Sequence, residues 1–321
     1  MNRRSLLALP LTGLAAPALA LGFTPTRPVR VLAAWPAGGS ADASIRLCAP
    51  IMAQELGQPV VIENRGGASG SIGAAVAAQM APDGHNFLLD AAGQISNPLL
   101  MRGLGFDYAT AFAPVTLAAL LPNLLVVRAE TGITSVAGLV ERLKANPGRE
   151  TYASTGIGLT SHLAAVLFTQ QAGVDVTHVP YRASSQAIPG LLAGETLFIF
   201  NTTPLVAPLI REGKLRALAV ATPTRIPAFP DVPTMLELGY QGFTLNEWLG
   251  YFAPAGTPQG AIERFAAASN KALHDPTVRD RHAVMGAEII ASSPAEFAAF
   301  LTEQRARVGA IIRDNNIRLD S

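Results

Sequence analysis

The apolar residues of this chain fall into short runs separated by glycine- and proline-marked turns, and between the runs they recur every three to four positions. "VRVLAAW" (29 to 35) has the length and content of one strand, and the stretch from Ser44 to Leu56 sets Ile45, Cys48, Met52 and Leu56 on one face of a helix. "PVVIEN" predicts the next strand, "IGAAVAAQM" the next helix and "HNFLLDAA" a third strand. The alternation resumes at "NLLVV" with a helix over Val136 to Ala145. It continues through "TYAST", a helix near Ser161 to Gln171, "VTHVPY", a helix near Ser185 to Ala193, "TLFIFN", "LVAPLIREG" and "LRALAVA". Such alternation across short turns predicts a mostly parallel sheet with helices on both faces.

The C-terminal part breaks the pattern. "LNEWLGYFAPAGTP" reads as an extended segment, followed by two helices, Gly260 to Leu273 and Pro294 to Asn315, with no long strand between them. Ten or more strands are better divided between two α/β lobes than placed in one open sheet. The extended segment then serves as a return crossing. It assigns residues 25–126 with 247–321 to the first lobe and 127–246 to the second. "TPTRIPAFPDVPT" is an ordered connector, because apolar residues punctuate its prolines. No repeat or low-complexity tract is visible.

Composition narrows the class. The chain is 49% hydrophobic and 15% charged, as in ordinary globular proteins. Its start, "MNRRSLLALPLTGLAAPALALG", combines Arg3 and Arg4 with an apolar stretch and small residues at Ala18 and Ala20, which predicts a secretory signal cleaved after Ala20. The Arg pair is compatible with twin-arginine export as well. A membrane anchor fits less well, since Pro10, Gly13 and Pro17 break a stretch already short of the roughly 20 residues that a span needs. Without residues 1–20, 22 basic residues face 23 acidic ones, a net charge of −1. Nothing in that balance suggests the basic face required by nucleic-acid phosphates. The single cysteine, Cys48, cannot form an internal disulfide and reads as a packing residue.

Candidate chemistry gathers in loops that follow strands. "WPAGGSAD" (35 to 42) leaves the first strand and enters the first helix, a position where helix N–H groups favour an anion. Ala37, Gly38, Gly39 and Ser40 are candidates to line that site, and Asp42 is expected to cap the helix. "ASTGIGLTSHL" repeats the arrangement in the second half, with Ser154, Thr155, Gly156 and Thr160 as candidates facing the first loop across a cleft. "ENRGGASGSIGA" misses the spacing of a dinucleotide fingerprint and lacks the ending of a phosphate loop, so it reads as structural. No G-x-S-x-G elbow occurs, and Ser69 has the wrong spacing for one. The five histidines form no metal-binding pair, and His162 beside Ser161 points elsewhere on the helix and reads as a buried histidine. No catalytic residue, metal or cofactor is therefore expected.

These motifs, together with "APDGHNFLL", "FAPVT", "THVPYRASSQA", "GKLRALAVATPTR", "PDVPTMLELGY" and "GYFAPAGTP", make the chain resemble the Bug, or TctC-like, family of periplasmic solute-binding receptors of tripartite tricarboxylate transporters. The resemblance implies a type II periplasmic-binding fold: two α/β lobes with a ligand cleft between them. It also implies a periplasmic, monomeric protein that holds a small organic carboxylate, often through ordered water, for membrane transporter subunits. Arg182 and Asn201 join the candidate ligand-binding residues on this basis. Three positions depart from the family pattern: Arg182 with Ala183 replaces a lysine and glycine, Asn201 replaces an aspartate, and Leu159 replaces a frequent serine. One acid and several polar groups fewer suggest a less polar anion. The alternatives are a secreted α/β hydrolase, disfavoured by the missing elbow, and a ligand-sensing partner of a membrane sensor.

Overall fold

The computed structural model describes residues 22–319; the expected signal peptide over residues 1–20 lies outside the described residues. The elements follow as β1 (Val29–Ala33), α1 (Ser40–Leu56), β2 (Val60–Asn64), α2 (Ser71–Ala78), β3 (Asn86–Asp90), α3 (Gly93–Leu100), β4 (Phe112–Leu121) and β5 (Asn123–Arg128). Next come α4 (Val136–Ala145), β6 (Thr151–Ser154), α5 (Thr160–Ala172), β7 (Thr177–Pro180), α6 (Ser184–Ala193), β8 (Phe198–Thr202), α7 (Thr203–Arg211) and β9 (Leu215–Val220). The chain finishes with β10 (Glu247–Pro254), α8 (Gln259–Leu273), α9 (Pro276–Met285), β11 (Glu288–Ile289) and α10 (Pro294–Asp314).

Two sheets form. The first has the order β11-β4-β10-β3-β1-β2 and the second β7-β6-β8-β5-β9. Neither is mostly parallel, which corrects the expectation from the alternating pattern. β1 pairs in parallel with β2 and β3, but β10 runs antiparallel to β3 and β4. Likewise β6 is parallel to β7 and β8, while β5 is antiparallel to β8 and β9. The antiparallel strands lie where the chain passes between sheets, because a strand arriving from the other sheet need not follow the direction that a βαβ crossover imposes. β4 and β5 merge in sequence into one apolar run from Leu117 to Val127, broken only at Pro122 and Asn123, where the chain crosses. The helix α9 also escaped the pattern: it buries only Val278 and His282, and Asp275 starts it by accepting from the N–H groups of Thr277 and Val278.

Packing ties the two sheets along one side. A continuous apolar cluster joins Leu32 and Leu88 of the first sheet to Leu125, Phe198 and Phe200 of the second, with Trp248 and Phe297 between. Each such buried side chain contributes about 1.5–3 kcal/mol. The outer face of the first sheet packs on α1 and α8, where Phe87 stacks on Phe265 at 3.7 Å between centroids. Cys48 belongs to this layer, and burial pushes its thiol pKa up to about 12. The outer face of the second sheet packs through Ile199, Leu191 and Val206. What the shared core leaves open is the opposite side, where loops after the strands of both sheets face one another.

Candidate ligand cleft

A cavity of about 1000 Å³ lies between the two sets of loops. Its floor is made by the crossings themselves: Leu121 and Asn123 on one, Glu247 and Leu249 on the other. Asn123 holds the two together, its N–H donating to Asn246 Oδ1 at 3.2 Å and its Nδ2 to the Leu245 carbonyl at 3.0 Å.

The walls are helix N-termini. Gly39, Gly70, Leu159, Ala183 and Thr202 are the N-caps of α1, α2, α5, α6 and α7; all five line the cavity, and none accepts a first-turn N–H through its side chain. Of the five described helices that start elsewhere, three are capped by a side chain: Ser135 serves α4, Asp275 serves α9, and Ser293 with Glu296 forms a capping box on α10, while α3 and α8 begin without one at Ala92 and Pro258. Unfilled N–H groups carry the positive end of each helix dipole, which favours an anion by about 0.3–1 kcal/mol per helix, and by more when partly buried. Arg182 adds a full positive charge to the lining.

Each sequence candidate can now be placed. Ala37, Gly38, Gly39 and Ser40 line the cavity from the first sheet, and Thr155, Gly156, Arg182 and Asn201 line it from the second. Gly38 requires its residue type, since its φ is 79°; Gly39 is extended, and an added Cβ would only touch the Pro36 carbonyl at 3.4 Å. Asp42, Ser154 and Thr160 stand behind the wall with other partners. Asp42 is not the cap of α1; Gly39 is. The Asp42 carboxylate accepts from the Gly38 N–H at 2.9 Å and from Arg46 and Asn64, fixing the loop from below. Burial alone would raise its pKa, but these hydrogen bonds hold it below the usual carboxylate range. Ser154 is fully buried against His178, Oγ to Nε2 at 2.7 Å, and Thr160 donates to Glu247 at 3.1 Å.

Three features of the lining were not among the candidates. The loop read as structural, Gly67 to Gly70, lines the cavity, with Ala68 and Ser69 held at left-handed φ of 44° and 52°. Its position after β2 and before α2 was the available signal, since it matches that of the first loop. Ser161 also lines the cavity; its Oγ accepts from the Thr155 N–H at 3.0 Å and bonds Thr155 Oγ1 at 2.9 Å. Glu247 had no sequence signal at all. It accepts from the N–H groups of Ala92 and Trp248, each at 3.1 Å, and from Thr160.

Buried titratable groups surround the cleft. Burial pushes the Glu247 pKa above the usual carboxylate range despite those three donors. Asp90, fully buried on β3, is lifted to about 7 by burial, with the Glu247 charge adding to the rise. Burial also lowers His162 to about 3 and His178 to about 4, so both rings are neutral, stacked 4.2 Å apart behind the α5 loop. His162 Nδ1 accepts from the Gly158 N–H at 3.1 Å, as a buried histidine should. Among the described residues, no three His, Cys, Asp or Glu side chains are grouped to hold a metal ion.

The family model described as "Tripartite tricarboxylate transporter family receptor" matches residues 45–317. The chain belongs to the tripartite tricarboxylate transporter receptor family. The receptor is similar to BugT of Bordetella pertussis, 33% identical over 96% of this chain and 94% of that protein. Among solved structures it resembles Rpa4515 of R. palustris with adipate, 32% identical, with a TM-score of 0.86 over 92% of this chain and 99% of that one. It also resembles MatC from Rhodopseudomonas palustris with bound malate, 31% identical, with a TM-score of 0.81 over 90% and 99%. The receptor thus has the two-lobe α/β fold of periplasmic binding proteins.

Proposed function

We propose that the receptor works in the periplasm, after loss of residues 1–20, and captures a small organic carboxylate in its cleft for delivery to membrane transporter subunits. The observation that carries this reading is the convergence of five helix N-termini, uncapped by side chains, on one cavity. Four of them leave first-turn N–H groups open to an anion; in α7 the Thr203 N–H already donates to the Pro122 carbonyl and Pro204 has none, so that end offers chiefly its dipole. The adipate and malate in the two similar structures are carboxylates of the same class. The ligand is held between two lobes, expected over residues 25–126 with 247–321 and over 127–246; all of β5 pairs within the second sheet, which favours a first boundary a few residues earlier, at Pro122–Asn123. Contact falls to Ala37 to Ser40, Thr155, Gly156, Arg182 and Asn201, supported from behind by Asp42, Ser154 and Thr160.

The protein has no chemistry of its own on this reading. Among the described residues two Ser–His pairs exist, but Ser154 with His178 and Ser44 with His282 bury their hydroxyls at 0% and 4% exposure, where no acyl group reaches. His282 Nδ1 bonds the Val278 carbonyl and not a carboxylate. Among the described residues no helix is long and apolar enough to cross a membrane. Thermal-shift screening against carboxylates, sugars and cations tests the reading. A bound carboxylate at ~100 times its dissociation constant should add about 2.7 kcal/mol of stability. A melting point moved by sugars and unmoved by carboxylates would refute it.

A further inference from the structure

Three residues of the cavity lining carry a buried polar side-chain atom with no partner: Ser40 Oγ, Asn201 Nδ2 and Thr202 Oγ1. Of the three, Asn201 is the most enclosed, at 2% exposure. Its orientation is fixed by chemistry. The Thr202 N–H, which can only donate, lies 2.8 Å from one side-chain atom, so that atom is Oδ1; the Ser184 hydroxyl approaches it too, at 3.4 Å. Nδ2 is then a donor left over, on a residue that lines the cavity. A buried donor without an acceptor costs about 1–3 kcal/mol, which a partner arriving with the ligand would offset.

The surroundings decide what that partner is. Asn201 sits between the N-terminus of α6, at Ala183 and Ser184, and that of α7, at Thr202. Arg182 is on the same wall, and no aspartate or glutamate of the second sheet or its helices lines the cavity. Glu247, on the floor, already accepts three hydrogen bonds. An ammonium placed against this wall would meet helix N-termini and a guanidinium without a counter-charge. An acceptor would meet the Asn201 Nδ2 donor, the Arg182 guanidinium and hydroxyls able to donate.

Resting on the carboxylate reading, we propose that Asn201 is a specificity-determining residue: through Nδ2 it reads a hydrogen-bond acceptor at the end of the ligand held by the second lobe and rejects an ammonium there. The site thus selects by what it lacks as well as by what it offers.

Calorimetric titration of the purified full chain with three six-carbon acids tests this: adipate, hexanoate and ε-aminohexanoate share one carboxylate and differ only at the far end. Adipate should bind roughly tenfold or more tightly than either of the others. Asn201→Asp should reverse the order of adipate and ε-aminohexanoate and leave hexanoate within about threefold of wild type, which also reports that the site is intact. Thr196→Val, which removes a buried, unpartnered hydroxyl of the second lobe outside the cavity lining, should leave the preference for adipate in place. Equal binding of adipate and ε-aminohexanoate by wild type, or an unchanged order in a folded Asn201→Asp variant, overturns the role of Asn201 and leaves the carboxylate reading standing. No binding of any of the three overturns that reading and this inference with it.

Discussion

The Thr160 hydroxyl, in the first turn of α5, donates to the Glu247 carboxylate on β10 at 3.1 Å. This bond joins a helix that covers the second sheet to a strand of the first, at the floor of the cleft. Its partner oxygen, Oε1, takes the N–H groups of Ala92 and Trp248.

The two ends of this bond should respond differently to mutation. Thr160→Val leaves one buried carboxylate oxygen without its donor and should cost about 1–3 kcal/mol in urea denaturation. Glu247→Gln should cost less, because the amide oxygen keeps both N–H donors and the amide NH₂ can donate to the Thr160 hydroxyl in return. Equal losses would show that the charge, and not the pattern of donors, sustains the contact.

Asp90 should make stability depend on pH. The native carboxyl holds its proton up to about pH 7, whereas the unfolded chain releases it near 3.8. Between these values folding takes up a proton, so Asp90's contribution falls by about 1.4 kcal/mol per unit as pH rises. His162 and His178, kept neutral by burial, act in the opposite direction below their ordinary value of 6.5, which makes the absolute curve a poor readout. Comparison with Asp90→Asn isolates the carboxyl. The stability of wild type relative to the variant should shrink by roughly 2–3 kcal/mol from pH of about 4.5 to about 7. A constant difference would refute the assignment.

Gly39 is a place where fold and binding should part. Its extended backbone suits an N-cap, and the space accepts a Cβ. Gly39→Asp would supply α1 with the side-chain cap it lacks and should change stability by only a few tenths of a kcal/mol, upward if at all. The same carboxylate would sit on the proposed anion site and should weaken carboxylate binding roughly tenfold or more. Melting temperature and titration calorimetry on one sample give both numbers; unchanged affinity would remove the α1 terminus from the site.

Ser161 should prove to be part of the binding loop. Ser161→Ala removes the acceptor of the Thr155 N–H and the partner of its hydroxyl. Carboxylate affinity should fall at least as far as in Thr155→Val, on the order of 1–2 kcal/mol or about 5- to 30-fold. A Ser161→Ala protein with wild-type affinity would return Ser161 to a purely structural role.

Much of the site was legible because it is local. A strand followed by a glycine-rich turn and a helix places N–H groups at one edge whatever else the chain does, and "WPAGGSAD" and "ASTGIGLTSHL" show that order in a dozen residues or fewer. The Gly67 to Gly70 loop has the same order and was passed over because its glycines fit no named spacing; position after the strand was the better guide. Side-chain partners were less legible. Asp42 looked like a cap because acids favour helix starts, but Asn64 and Arg46 draw its carboxylate beneath the loop.

The sequence by itself determined the strand and helix periodicity, the glycine loops at strand ends, the near-neutral charge and the resemblance to a receptor family, since each depends on neighbours in the chain. Tertiary structure alone decided the antiparallel course of β5 and β10, the convergence of five helix N-termini, and Glu247's place beneath them. Those follow from where the chain crosses between sheets: Glu247 meets Ala92 and Thr160 from 155 and 87 residues away. Contacts across such separations leave no period in the sequence, because they are set by the packing of whole elements and not by the spacing of residues within one.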